Sequence, residues 1–598
     1  MSISRRNALA LFGAAAPASA FAASGKRPHA VDFVHGVASG DPAVDGFVLW
    51  TRLTPAEGAP PSLEAAWEVA EDAAFTRLAA RGTAVTGAHR DYTVKVEVEG
   101  LKPGRQYHYR FHSGGQVSRP GRATTLPTGA TADVVLAMVT CSLHSNGYFN
   151  VYDHIAGLGR VDAVVHLGDY IYEFGAGEGV YGMENGRKLG RIPEPPHEIV
   201  TLADYRTRHA QYKRDPDLQA AHARCPWICV WDDHEVSNDD WVGGAENHQP
   251  KTEGPWLDRE AAAVQAYYEW MPIREPKPGR AFEAINRAFQ YGDLMSLIMV
   301  ESRLVARSYQ LEYGRAGDIP LAVYDSADPA TRKHVADPAI VGQAMAAAKA
   351  GQPLPSPHVL GPDPVALKAI IDDPERQMLG ARQEQWLGRE IAASAAAGRT
   401  WQVLGNQVVM ARTRAPDVSK AVGGRANLER ALGALPDAKR KAVMAMADLY
   451  SFDIPYDLDD WDGYPAARER VFDQIKAAGE SNVVVVSGDS HAFWADELHD
   501  DAGKLVAVEF GTSSVTSPTD GDSAPGLDLG RIFMDQNPEV IFCSQNDKGY
   551  IRLTLTREEA RAELLSVDIL TKPYGVRSLA TFRVRPTPGF APGRIEKL

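Results

Sequence analysis

Four stretches of the chain share one pattern, a run of apolar residues that ends abruptly in polar ones. VVLAMVT ends at Cys141, VDAVVHL runs into GDYIYE, PWICVW into DDHEVSND, and the four valines 483–486 into SGDSHAF. Short unbroken apolar runs predict strands buried on both faces, as in a mostly parallel sheet covered by helices. Between them lie Ala-rich segments such as REAAAVQAYYEWM and RQEQWLGREIAASAAAG, which predict helices. From about residue 131 the texture is α/β.

Residues 30–128 read differently. FVLWTRL, AAWEVAE, YTVKVEVEG and QYHYRFHSGG alternate or carry β-branched and aromatic residues, with Gly and Pro between them. This predicts an all-β unit of fibronectin-III or immunoglobulin-like sandwich type. LKPGRQYHYRF fits a tyrosine corner, with Tyr107 or Tyr109 in that place. RATTLPTGATAD is a linker by composition. The expected division is thus a β-sandwich at 30–128 and a catalytic α/β domain at 131–598. Residues about 308–375, poor in strand character, read as an insertion on the rim, a lid or a plain surface elaboration. YIRLTLTREEARAELLSVD near the end predicts two adjacent strands closing a sheet.

Charge and the N-terminus narrow the setting. Lys plus Arg number 63 against 77 Asp plus Glu, a net of -14, which disfavours nucleic-acid phosphates or anionic lipid as partners. SRRNALALFGAAAPASAFAASG carries a twin arginine (Arg5, Arg6), a short apolar region and Ala-x-Ala sites at Ala20 or Ala22. It reads as a twin-arginine signal peptide over residues 1–22, with periplasmic or secreted localisation after export by the twin-arginine machinery. No later stretch reaches the roughly 18 apolar residues of a membrane helix, so no transmembrane anchor is expected after cleavage. The four cysteines, Cys141, Cys225, Cys229 and Cys543, are too few for a disulfide framework. Buried free thiols are the default reading, with a bridge from Cys225 or Cys229 to Cys543 as the alternative.

The polar ends of the four apolar strands carry the chemistry. They deliver Cys141; Asp169 and Tyr172; Asp232, Asp233 and His234; and Asp489 and His491. In open α/β sheets, function collects beyond the carboxyl ends of strands. Each motif alone has an ordinary reading, a core cysteine, a helix cap or a packed aromatic. Together they crowd carboxylates and histidines at one sheet edge, an arrangement that is electrostatically costly without a cation. Carboxylates suit Ca, Mg or Mn, histidine suits Zn or Fe, and a thiolate with a phenolate favours Fe(III) beside a harder divalent ion. Two metals roughly 3.5–4 Å apart are suited to in-line displacement at phosphorus.

These residues resemble the alkaline phosphatase D (PhoD-like) family of exported metallophosphoesterases. The resemblance rests on GVASGDPAVDGFVLWTRL, TC, VVHLGDYIYE, WDDHEVSND, MLGARQEQWL and VVVVSGDSHAFWADEL. It implies a small β-sandwich followed by a four-layer αββα calcineurin-like metallophosphatase domain. It also implies hydrolysis of phosphate mono- or diesters by a metal-activated water at a dimetal centre, with Fe(III) and Ca(II), and Mn or Zn as alternatives. Against the wider metallophosphatase pattern, Cys141 takes the place of the first-strand Asp-x-His, Asp169 that of the bridging carboxylate and Tyr172 that of the iron-binding phenolate. Asp233 stands where an Asn ligand is usual, beside Asp232. His234 resembles the leaving-group acid or transition-state donor, and Asp489 and His491 fill the Gly-His-x-His position. Ser142 replaces a frequent Gln, and Glu301 stands where Asp-Thr-Arg is typical, which bears on the surroundings of Arg303. Purple acid phosphatases would show Gly-Asn-His-Glu in place of DDHE and an Asp in place of Cys141. A reading of another class is an exported binding protein with a structural metal site.

Overall fold

The computed structural model describes residues 31–598 apart from 57–59, 329–330 and 590. The expected export signal lies outside the described residues. The described chain is mixed α/β, built on two large sheets. One has ten strands, in the order Glu596–Lys597, Val576–Val584, Ala560–Val567, Gly549–Thr556, Asp133–Val139, Ala163–His166, Trp227–Cys229, Val37–Ala43, Gly46–Arg52 and Thr93–Val98. Its central four, Asp133–Val139 through Val37–Ala43, run parallel. The other has seven strands, in the order Arg287–Tyr291, Met295–Met299, Trp401–Gly405, Val483–Ser487, Leu505–Gly511, Phe493–His499 and Val540–Ser544. Four of these, Met295–Met299 through Leu505–Gly511, are also parallel.

The valine strand shows why an unbroken apolar run is required here. Val484 and Val486 belong to one core with Leu136, Val139 and Val164 of the ten-stranded sheet. Val483 and Val485 belong to a second core with Leu387 and Ile391 of the helix Ala381–Ala396, and with Val471, Phe472 and Ile475 of the helix Pro465–Ala477. Successive side chains of a strand point to opposite faces, so a strand between a sheet and a helix layer needs apolar residues at every position. All four valines are fully buried, each contributing roughly 1.5–3 kcal/mol relative to exposure. A strand fixed on both faces holds the residues at its exit in place.

A separate five-stranded sheet carries Ser62–Ala70, Leu78–Gly87, Gln106–Ser113, Gln116–Val117 and Gly121–Thr124. Its Ala65, Val69, Phe111 and Ala123 share a core with Val37, Phe47, Leu49 and Val94. Those last four lie on strands of the ten-stranded sheet, which reaches them through the pairing of Trp227 with Gly40. Sheet pairing therefore runs across residues 128–131. Tyr107 is buried and its hydroxyl accepts a hydrogen bond from the Lys102 N–H at 3.0 Å, the contact that a tyrosine corner makes.

The segment 308–375 contains a hairpin, Leu321–Tyr324 with Val359–Pro362, and the helices Pro338–Lys349 and Pro364–Ile371. It is anchored by Leu311, Ile319, Leu367 and Ile371 against Ala415, Ile454 and Leu458. The two C-terminal strands, Gly549–Thr556 and Ala560–Val567, pair antiparallel and join the ten-stranded sheet beside Asp133–Val139. All four cysteines are buried and free. Among the described residues no helix is long and apolar enough to cross a membrane.

Candidate metal centre

The four strand exits converge. The strands ending near Cys141, Asp169 and Asp232 are adjacent and parallel in the ten-stranded sheet. Asp489 and His491 arrive from the seven-stranded sheet. Two glycines permit that approach. A Cβ on Gly168 (φ +126°) would stand 2.3 Å from the Asp232 Cβ, and one on Gly488 would stand 2.5 Å from the Thr140 hydroxyl, beside Cys141. Cys141, Asp169, Asp489 and His491 have φ between +57° and +59°. Non-glycine residues held there each cost on the order of 1–3 kcal/mol, and such strain collects at functional sites.

Donor atoms fall into three overlapping triads, each with its atoms within 4.8 Å of one another: Cys141, Asp169 and His491; Asp169, Asp233 and His234; Asp232, Asp233 and Asp489. Asp169 belongs to the first two and Asp233 to the last two. His491 therefore faces the Cys141 half and Asp489 the Asp232 half. Tyr172 joins the first half, donating to Asp169 Oδ2 at 2.9 Å, with His491 Nε2 3.3 Å from its oxygen. All eight residues singled out from the sequence thus meet in one cluster.

The electrostatics fit a cation. Burial, then Asp233 and Asp232 against an opposing His234, pushes the Asp169 carboxyl well above the usual range. Burial and the adjacent Asp232 and Asp459 do the same to Asp489, with Arg303 opposing. Burial and Asp169 raise both the Cys141 thiol and the Tyr172 phenol well above their ordinary values. Burial, then His234, lowers His491 to about 3, so the imidazole is neutral, the form that ligates metal. Asp232 Oδ2 is buried with no hydrogen-bond partner. A positive ion would stabilise every deprotonated donor at once. The donor set of carboxylates, imidazole, thiol and phenol is therefore suited to hold one.

His234 stands apart from this pattern. Burial works against its charge, yet Asp233, Glu173 and Asp169 overcome it and hold the imidazole protonated well above its ordinary range. Its Nδ1 lies 2.7 Å from Glu173 Oε2, a fully buried carboxylate.

Comparison with known proteins decides the family. Residues 136–564 match the PhoD-like phosphatase family, and residues 17–127 match the PhoD-like phosphatase N-terminal domain. Alkaline phosphatase D of Bacillus subtilis (strain 168) is 33% identical over 553 residues, covering 90% of this chain and 78% of that protein. A solved structure of PhoD superposes with a TM-score of 0.71 at 31% identity, covering 97% of this chain and 93% of that one. The chain belongs to the PhoD-like phosphatase family. It is a phosphoric ester hydrolase, which leaves the binding-protein reading without support.

Several residues of this PhoD-like phosphatase escaped the sequence reading. Glu173 and Glu235 lie within the quoted motifs, as the last residue of GDYIYE and of DDHE, and that adjacency to the donors was the available signal. Glu235 accepts from the backbone N–H groups of Asp169 (2.9 Å), Tyr170 (2.5 Å) and Asp232 (2.8 Å), tying two strand exits together. Arg303 is fully buried; it donates to Asp232 Oδ1 and to Asp459 Oδ1 (2.6 Å), and its Nη2 lies 3.8 Å from Asp489 Oδ2. Glu301, the departure noted beside it, accepts from the backbone N–H groups of Arg303, Leu304 and Val305 and so fixes that turn. A cavity of about 810 Å³ is lined in part by Asn146, Gly182, Lys439, Pro518, Lys548 and Arg577, and by none of the eight residues of the site.

Proposed function

We propose that the converging residues hold two cations and hydrolyse phosphate mono- and diesters by in-line attack of water. The observation that carries this reading is that Asp169 of the Cys141–Asp169–His491 triad and Asp233 of the Asp232–Asp233–Asp489 triad bring carboxylate oxygens within 4.8 Å of each other, which sets the two donor sets side by side. Cys141, Tyr172, Asp169 and His491 form a set suited to Fe(III); Asp232, Asp233 and Asp489 form an all-oxygen set suited to Ca(II). Bound there, the ions would supply the Lewis acidity that displacement at phosphorus needs.

The chain's own side chains do the rest. His234, kept charged by Asp233 and Glu173, donates a proton from Nε2 to the departing alkoxide. Arg303 offsets part of the carboxylate charge that would otherwise repel a phosphate ester, and its direct bond to Asp232 fixes that carboxylate's orientation. The same reading takes residues 30–128 as a β-sandwich, 131–598 as an αββα catalytic domain and residues 1–22 as a twin-arginine signal that delivers the enzyme to the periplasm or beyond.

The test is hydrolysis of p-nitrophenyl phosphate and bis(p-nitrophenyl) phosphate before and after chelation, with readdition of iron and calcium. Activity should vanish with the metal and return with it. Undiminished turnover by metal-free protein would overturn the proposal.

A further inference from the structure

Tyr181 is bound to His491 from the side away from the other donors. Its hydroxyl lies 3.0 Å from His491 Nδ1 and donates to the Pro518 carbonyl at 2.9 Å. The two rings lie nearly parallel, 25° apart with centroids separated by 6.1 Å. A hydroxyl has one proton to give, and a carbonyl can only accept. With that proton on Pro518, Tyr181 presents a lone pair to His491, so Nδ1 must carry the ring proton. Nε2 then keeps its lone pair on the side of Tyr172, 3.3 Å from that hydroxyl. Tyr172 does not compete for it, because its own proton goes to Asp169 and it accepts from Ser517 Oγ at 2.7 Å.

The loop that supplies Ser517 and Pro518 is itself fixed against the loop after Cys141. Asn146 Nδ2 donates to the Thr516 carbonyl at 2.6 Å, Thr516 Oγ1 to the Leu143 carbonyl at 2.9 Å, and the Thr516 N–H to the Cys141 carbonyl at 3.3 Å. One rigid loop thus orients both the phenol and, through Tyr181, the imidazole.

We propose that Tyr181 is a positioning residue that locks His491 as the Nδ1–H tautomer, leaving Nε2 free for a cation in the Cys141–Asp169–His491 triad. The inference rests on the metal reading above. Partners of this kind outside the ligand set alter metal affinity by roughly 10–100-fold. Tyr181→Phe keeps the ring and its stacking and removes only the hydroxyl.

The test loads metal-free protein with Co(II) alone, measures its dissociation constant by chelator competition, and records the exchangeable, paramagnetically shifted imidazole N–H signal that disappears in His491→Gln. Tyr181→Phe should bind Co(II) about tenfold or more weakly and exchange that proton with solvent faster, with an unchanged thermal unfolding midpoint. Wild-type affinity and wild-type exchange in Tyr181→Phe would overturn the proposal. If His491→Gln binds Co(II) as the wild type does, the metal reading itself fails. If His491→Gln loses Co(II) and Tyr181→Phe does not, only the role of Tyr181 fails.

Discussion

Lys213 closes the helix Leu202–Lys213 and is 1% exposed. Its Nζ lies 2.9 Å from His222 Nε2 and over the rings of Trp50 (4.7 Å) and Tyr170 (5.1 Å). No carboxylate pairs with it among the described residues. Burial lowers its pKa from 10.5 to about 7, against a small opposing effect of Cys229. Between those two values the unfolded chain binds more protons than the folded one, so stability rises with pH through that window and levels off on either side. At about 1.4 kcal/mol per pH unit the whole window is worth roughly 5 kcal/mol, of which about 2 kcal/mol falls between pH 7 and 9. Lys213→Met fills the space without a titrating group. Urea denaturation of both proteins at pH 7, 8 and 9 should show the variant's advantage at pH 7 shrinking by about 2 kcal/mol at pH 9. The histidines that Lys213 perturbs, His35, His166, His209 and His222, are lowered by burial first and stay neutral in the folded protein across pH 7–9, so parallel stability curves would refute the argument.

Gly168→Ala places a Cβ 2.6 Å from the Asp232 backbone nitrogen at φ +126°; displacing that strand exit should cost at least about a hundredfold in kcat/KM together with bound metal, and wild-type values of both would contradict the packing account. Glu173→Gln removes the carboxylate bonded to His234 Nδ1, which with Asp233 keeps the imidazole charged. Turnover of alkyl phosphate esters, whose departing group needs a proton, should fall about 10²–10⁴-fold while p-nitrophenyl phosphate is largely spared; equal losses on both would argue against His234 as the acid.

Much of this was legible in the sequence because strand burial and ligand chemistry are local signals. Each apolar run announced a strand with both faces covered, and the residue types at its end announced a cation. Which sheet each strand joined was not legible. Val483–Ser487 and Ala163–His166 read alike, yet they lie in different sheets, and only the meeting of the two sheets separates Asp489 from His491 by target. The pairing of Trp227 with Gly40 joins residues almost two hundred positions apart, with no local pattern to announce it. Glu173, Glu235 and Tyr181 act through other side chains. Their chemistry is ordinary in isolation and becomes specific once His234, the paired backbone N–H groups and His491 stand beside them.

The central claim is that the converging donors hold two cations and that the reaction depends on them. Counting metal per chain in the purified native enzyme and in Asp169→Asn, alongside turnover of each, tests it most directly, because Asp169 belongs to two of the three triads. At least two ions per chain are predicted for the native enzyme, with metal and turnover both lost in Asp169→Asn. An Asp169→Asn enzyme with full metal content and undiminished turnover would contradict the account.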